Sequence, residues 1–144
     1  LSLAAEAEGV TLDVQLPDDL GAVQADPDRL AQVVGNLLVN ALHHTPPGGR
    51  ITVTARQAGK TVQVSVADTG EGIAPQDLPH VFERFWRADP ARAHAEQAGT
   101  ERLARRSGLG LSVAQSLIEA QGGRIWAESE LGRGSTFHFT VPVA

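Results

Sequence analysis

Residues 36–49 read NLLVNALHHTPPGG. The fold turns on why two asparagines, Asn36 and Asn40, stand four residues apart in so apolar a run. Asparagine competes for backbone hydrogen bonds, forms helices poorly, and needs partners for its amide when buried. Leu30, Val33, Val34, Leu37, Leu38, Ala41 and Leu42 recur at helical spacing. Asp26 is placed as an N-cap with Pro27 at the first helical position, so the spacing predicts a helix to about His44, stopped by PPGG. At about 100° per residue, Arg29, Gln32, Asn36, Asn40, His43 and His44 line up along the border of the apolar face. A lone asparagine there is an ordinary solvated residue. Four hydrogen-bonding side chains in such a row fit the wall of a cavity better.

Outward from this helix, VTLDVQLP alternates Val10, Leu12, Val14 and Leu16 with polar residues, a half-buried strand. The Ala/Glu-rich opening LSLAAEAEG is compatible with a helix. Residues 51–56 and 61–67 form a strand pair about the turn Ala58-Gly59-Lys60, and a short helix is expected after Pro75. SGLGLSVAQSLIEAQGG reads as a glycine turn opening a helix that ends at Gly122. Residues 124–129 and the alternating run through Phe137, Phe139 and Val141 are the last two strands. Consecutive strands favour antiparallel pairing, so one sheet with helices on one face is the expected architecture. Apolar residues other than alanine nearly vanish over about residues 88–106, where only Leu103 remains. A segment this poor in packing residues reads as a lid over a site ahead of a plain insertion.

With 144 residues, 42% hydrophobic and 20% charged, the chain has the makings of one globular domain, taken as 1–144. A formal charge of -5 disfavours nucleic acid as a partner. The absence of cysteine excludes disulfides, thiolate metal sites and cysteine nucleophiles. No apolar run approaches the roughly 20 residues of a membrane span. There is no methionine either, which leads us to expect a piece of a longer protein.

Four further stretches carry chemistry. DTGEGI, residues 68–73, ends an apolar strand on Asp68, whose carboxylate then lies low between sheet and helix, a good acceptor for an exocyclic amino group. Gly70 and Gly72 allow approaches that side chains would block. Asp-Thr-Gly is also a common turn, and it is the core of aspartic proteases, which need a second such aspartate that this chain lacks. SGLGL, Ser107 to Leu111, would let backbone N–H groups approach phosphate oxygens, although it matches neither a Walker A nor a Rossmann fingerprint. FERFWR, residues 82–87, puts Arg84 and Arg87 beside the lid, where they could reach phosphate charge. GRGSTF, residues 132–137, read alone, is a hairpin turn.

In this order the motifs resemble the catalytic and ATP-binding domain of sensor histidine kinases, within the GHKL ATPase superfamily. NLLVNALHHTP resembles the N box, DTGEGI, SGLGL and GRGSTF the three glycine boxes, and FERFWR the F box. The resemblance implies an α+β fold: a two-layer α/β sandwich with a mixed sheet of about five strands and three main helices on one face. It implies ATP and Mg²⁺ as cofactors, with Asn40 giving a carbonyl oxygen to the metal and Asn36 supporting phosphates or metal waters. Asp68 would accept the adenine amino group, with Ser135 helping through a water, and Gly70, Gly72 and Ile73 would complete the base site. His43 and His44 match positions near the phosphates and the base. Ser107, Gly108, Leu109, Gly110 and Leu111 would cradle phosphates, and Arg84 and Arg87 would steady them, Arg84 at the γ-phosphate. The catalytic set is then Asn36, Asn40 and Arg84.

The resemblance further implies a choice between reactions. Hydrolases of the superfamily carry glutamate four residues before the metal asparagine, where it activates water. Here that residue is Asn36, and an amide is no general base at neutral pH. This favours transfer to histidine. None of the five histidines lies in the family's phosphoacceptor setting. The acceptor is therefore expected on a dimerisation domain of the same parent, with a response regulator receiver domain downstream. The parent would be a membrane-bound homodimer with this part in the cytoplasm. Arg105 and Arg106 depart from the two glycines usual before the second glycine box, which leaves room for a nucleotide-binding regulator without catalysis.

Overall fold

The computed structural model describes residues 9–16, 27–83 and 101–143, with side chains from Gly110 onward in the last segment. Five strands form one sheet: β1 (Thr11–Gln15), β2 (Arg50–Ala58), β3 (Thr61–Asp68), β4 (Ile125–Glu130) and β5 (Gly134–Pro142), in the order β1-β2-β3-β5-β4. β1 runs parallel to β2 and every other pair is antiparallel, so the sheet is mixed. Helices α1 (Pro27–His44) and α2 (Glu101–Ala120) are the two α-helices among the described residues.

Alternation decides which face is covered. Ile51, Val53 and Ala55 of β2, Val62 and Val66 of β3, and Phe137, Phe139 and Val141 of β5 all point to one side and are buried. Against them lie Val33, Leu37, Leu38 and Ala41 of α1 and Leu111, Ala114 and Ile118 of α2, each set at helical spacing. Phe139 and Ile118 are wholly buried. Removing a core side chain of that size costs about 2–5 kcal/mol. The opposite face carries polar side chains, among them Ser65, which meets His138 Nδ1 at 2.7 Å.

Register then builds one end of the sheet. Ile51 pairs with Asp68, Asp68 with Ser135, and Ser135 with Ser129. Three polar residues therefore stand in a row across three neighbouring strands, on the same face as the core. That row is the foundation of the site.

Two expectations need correcting. Val10, just before β1, is buried and Leu12 packs against the core, but Val14 and Leu16 are exposed at 58% and 56%. β1 is an edge strand, paired on one side only. The helix expected after Pro75 is a single 3-10 turn, Leu78–His80, because Pro79 has no N–H to continue an α-helix. Two of the main helices lie among the described residues.

The larger difference is at the second helix. It does not open at the glycines but starts at Glu101, so Ser107, Gly108, Leu109 and Gly110 lie inside it. Glu101 to Arg106 are strong helix formers, and an interior glycine costs only about 1 kcal/mol relative to alanine, too little to break the run. The part of the expected lid at residues 101–106 is thus the start of α2. Residues 88–100, Arg84, Arg87, the N-cap Asp26, the opening LSLAAEAE and the side chains of Ser107 and Leu109 lie outside the described residues.

Candidate active site

α1 brings the asparagine edge to the polar end of the sheet. Asn40 is only 4% exposed, and its side chain makes no hydrogen bond among the described residues. An amide so placed has lost most of its contact with water without gaining a partner among the described residues, an arrangement that favours a ligand. Among described side chains, the one fully buried polar atom lacking a hydrogen bond is His138 Nε2, so the Asn40 amide still reaches solvent. Its oxygen is a hard neutral donor, which suits Mg²⁺, an ion that keeps several waters and phosphate oxygens. Asn36, one turn earlier, is engaged differently: its Nδ2 donates to the Gly110 carbonyl at 3.2 Å. That bond ties α1 to α2 and leaves the Asn36 carbonyl oxygen for other partners.

Asp68 closes β3 and is 6% exposed. Its Oδ1 accepts the Gly70 N–H at 2.9 Å and the Ser135 N–H at 3.3 Å. Both N–H groups use the same oxygen, and Oδ2 accepts nothing from the described residues while retaining contact with solvent. Burial raises the Asp68 pKa above the usual carboxylate value, against the lowering effects of the Gly70 N–H, the nearby His44 and the Ser135 N–H. The result is a fixed carboxylate with one oxygen anchored and one presented as an acceptor.

The glycine loops wrap tightly around it. A Cβ on Gly70 would run into the His44 carbonyl at the end of α1, and one on Gly72, at φ +76°, would strike the Glu130 carbonyl. Gly70→Ala should therefore destabilise the domain by about 1–3 kcal/mol. A thermal melt reads this as a fall of roughly 2–12 °C, taking about 2–4 °C per kcal/mol at this size. An unchanged melting temperature would mean that the loop stands off the helix end.

The two loops are joined to each other as well. The Gly132 N–H donates to the Glu71 carbonyl at 2.7 Å, and the Ile73 N–H donates to Ser129 Oγ at 2.7 Å. Ile73 itself packs against the core, as does Leu111, which is 6% exposed and turned into the packing. His44 Nδ1 lies 3.2 Å from Glu71 Oε1, and the His43 and His44 rings meet edge to face at 5.0 Å.

The structure thus gathers Asn36, Asn40, His44, Asp68, Gly70, Gly72, Ile73, Gly110 and Ser135 around one end of the sheet. Two residues escaped sequence reasoning. Glu71 reaches the end of α1, and Ser129 links the loops; the signal for Ser129 was its place on the covered face of β4, two residues before the exposed turn. Ser129 does not stand out without the β4–β5 register.

The family model described as "Histidine kinase-, DNA gyrase B-, and HSP90-like ATPase" matches residues 25–144. The adaptive-response sensory kinase SasA of Synechococcus elongatus is 47% identical over 133 residues, 92% of this chain and 32% of its own length. The sensor histidine kinase WalK of Bacillus subtilis is 40% identical over 129 residues, 88% of this chain and 20% of its own. The chain therefore spans a third or less of these relatives. Among solved structures, full-length ShkA in complex with AMPPNP superposes with a TM-score of 0.80 at 30% identity, over 99% of this chain and 28% of that one. The catalytic domain of histidine kinase ThkA gives 0.77 at 27% identity, over 99% and 84%. ThkA also superposes in its complex with the response regulator protein TrrA, at 0.75 and 26% identity, over 99% and 37%.

Proposed function

Because the chain belongs to the histidine kinase-, DNA gyrase B- and HSP90-like ATPase family, we propose that it is the catalytic module of a two-component sensor kinase. It binds ATP with Mg²⁺ and passes the γ-phosphoryl group to a histidine on the dimerisation domain of its parent. The relatives named as sensory kinases support this reading, as does the AMPPNP complex of ShkA.

The observation that carries it is Asn36. In this site the residue one turn before Asn40 is an amide committed to the Gly110 carbonyl. It has no proton-accepting group of useful basicity to activate water. Nothing at that position promotes hydrolysis, and the γ-phosphoryl group waits for a better nucleophile. An imidazole nitrogen of the acceptor attacks the γ-phosphorus, a P–N bond forms, the bond to the bridging oxygen breaks, and ADP leaves with that electron pair. The protein's part is positioning and charge stabilisation.

Each residue has a task. Asn40 holds the metal, and Mg²⁺, when bound, offsets the developing charge on the phosphate oxygens. Asp68 Oδ2 accepts the adenine amino group, and Ser135 assists. Gly70, Gly72 and Ile73 shape the base site, with His44 beside it and His43 toward the phosphates. Arg84 and Arg87 steady the phosphates. Ser107 to Leu111 cradle phosphate only if the start of α2 opens as far as Gly110, since their N–H groups otherwise lie inside a helix. The ThkA–TrrA complex supports a response regulator as the next acceptor. No helix among the described residues is long and apolar enough to cross a membrane. On this reading the domain works in the cytoplasm, as part of a membrane-bound, dimeric parent.

The test is transfer. Mixed with the parent's acceptor domain, γ-labelled ATP and Mg²⁺, the chain should label a histidine, and the label should be acid-labile. Label released instead as inorganic phosphate would make the domain a hydrolase. Tight nucleotide binding with neither product would make it a regulator.

A further inference from the structure

Ser129 joins the two glycine loops through a single oxygen. Its Oγ accepts the Ile73 N–H at 2.7 Å, donates to the Gly134 carbonyl at 3.0 Å, and lies 2.9 Å from Ser135 Oγ. A serine hydroxyl has one proton and two lone pairs. A carbonyl has no proton to give, so the Ser129 proton must lie on the Gly134 side. The remaining contact then has only one workable direction: Ser135 Oγ–H donates to Ser129. One lone pair of Ser129 takes the Ile73 N–H and the other takes the Ser135 proton, so this hydroxyl is fully used.

We propose that Ser129 is a positioning residue that sets which bases the site accepts. By taking the proton of Ser135, it leaves the Ser135 hydroxyl with lone pairs only. Asp68 Oδ2, its neighbour across the β3–β5 pair, is also an acceptor. The polar end of the base site is therefore acceptor throughout. At position 6, which faces this end, an amino group brings protons to it, whereas an oxo group brings a third set of lone pairs. Ser129 touches neither base; it acts through Ser135 and through the Ile73 N–H that it holds. This inference rests on the nucleotide reading above.

Removing the hydroxyl changes both effects. In Ser129→Ala, the Ser135 proton is free to turn toward a 6-oxo group, and the Ile73 N–H loses its acceptor. Titration calorimetry of the 144-residue chain with ADP and with inosine diphosphate, both with Mg²⁺, separates the possibilities. Wild type should prefer ADP. Ser129→Ala should bind ADP about 3- to 10-fold more weakly, the weight of one net hydrogen bond, and inosine diphosphate about as well as before. The preference for ADP then shrinks by that factor. A residue that only braces the fold would weaken both nucleotides alike, and an unchanged ratio overturns the proposal. If the alanine variant melts below the assay temperature, Ser129→Cys, close in size with a far weaker hydrogen-bonding group, carries the same comparison. A wild-type chain that binds ADP and inosine diphosphate equally defeats this inference alone. One that binds neither defeats the nucleotide reading and the proposal with it.

Discussion

Asn40→Ala is expected to lower Mg²⁺-dependent nucleotide affinity and phosphoryl transfer by at least about a hundredfold, since even groups behind a metal's direct ligands are worth 10- to 100-fold. The expectation comes from the state of the amide. Asn40 is buried at 4% exposure with no side-chain hydrogen bond among the described residues. A structural asparagine in such a place would be satisfied by the protein; this one is aligned by α1 and left for a ligand. Its removal therefore costs the fold little. Alanine is the better helix former, and the only partner lost is outside the protein. The melting temperature should stay level or rise by a degree or two, taking about 2–4 °C per kcal/mol. Loss of binding together with a large fall in melting temperature would reassign Asn40 to the core. Full activity in a well-folded variant would remove it from the metal site.

Asp68→Asn should separate stability from function. The amide oxygen can take the place of Oδ1 and accept both the Gly70 and the Ser135 N–H. The new NH₂ replaces Oδ2, so a donor faces the adenine amino group where an acceptor is needed. A site built to hydrogen-bond one partner rejects the mismatched one strongly because buried polar groups are left unpaired. We expect adenine nucleotide affinity to fall at least about 30-fold, roughly 2 kcal/mol and within the range for a hydrogen bond to a charged group.

Stability moves the other way. Burial is the largest influence on Asp68 and raises its pKa above that of the unfolded chain. A group with a raised folded pKa favours the fold below its unfolded pKa. That contribution is lost as pH rises through the folded value. At neutral pH the charged carboxylate is thus a net burden on the apo domain, and the neutral amide relieves it. Asp68→Asn should melt higher than wild type at pH 7. The difference should narrow as the pH is lowered through the range where Asp68 takes up its proton. A variant that melts lower at pH 7, with binding retained, would contradict both halves.

Much of this was legible in the chain because it is local. Pro27 to His44 announces itself by its cap, its period and its PPGG stop, and the structure returns the same bounds. The strands from Arg50 to Asp68 follow from alternation and one glycine turn, with Gly59 at φ +63°. Asp68 could be placed between sheet and helix because an apolar strand ends on it. What stayed hidden depends on distant pairing. β5 enters between β3 and β4, and only then do Asp68, Ser135 and Ser129 become neighbours. The exposure of Val14 reflects β1's place at the edge, which a strand's own pattern does not reveal. At Gly108 and Gly110 the helix formers upstream outweighed the glycines, and a local rule for helix starts failed.

The central claim is that the asparagine edge of α1 and the Asp68 row of the sheet form one ATP-Mg²⁺ site. Titration calorimetry of the chain with a non-hydrolysable ATP analogue, with and without Mg²⁺, tests it most directly. Saturable one-to-one binding that Mg²⁺ strengthens, and that Asn40→Ala uncouples from the metal, is the predicted result. No heat of binding from the folded chain, with or without the metal, would contradict it.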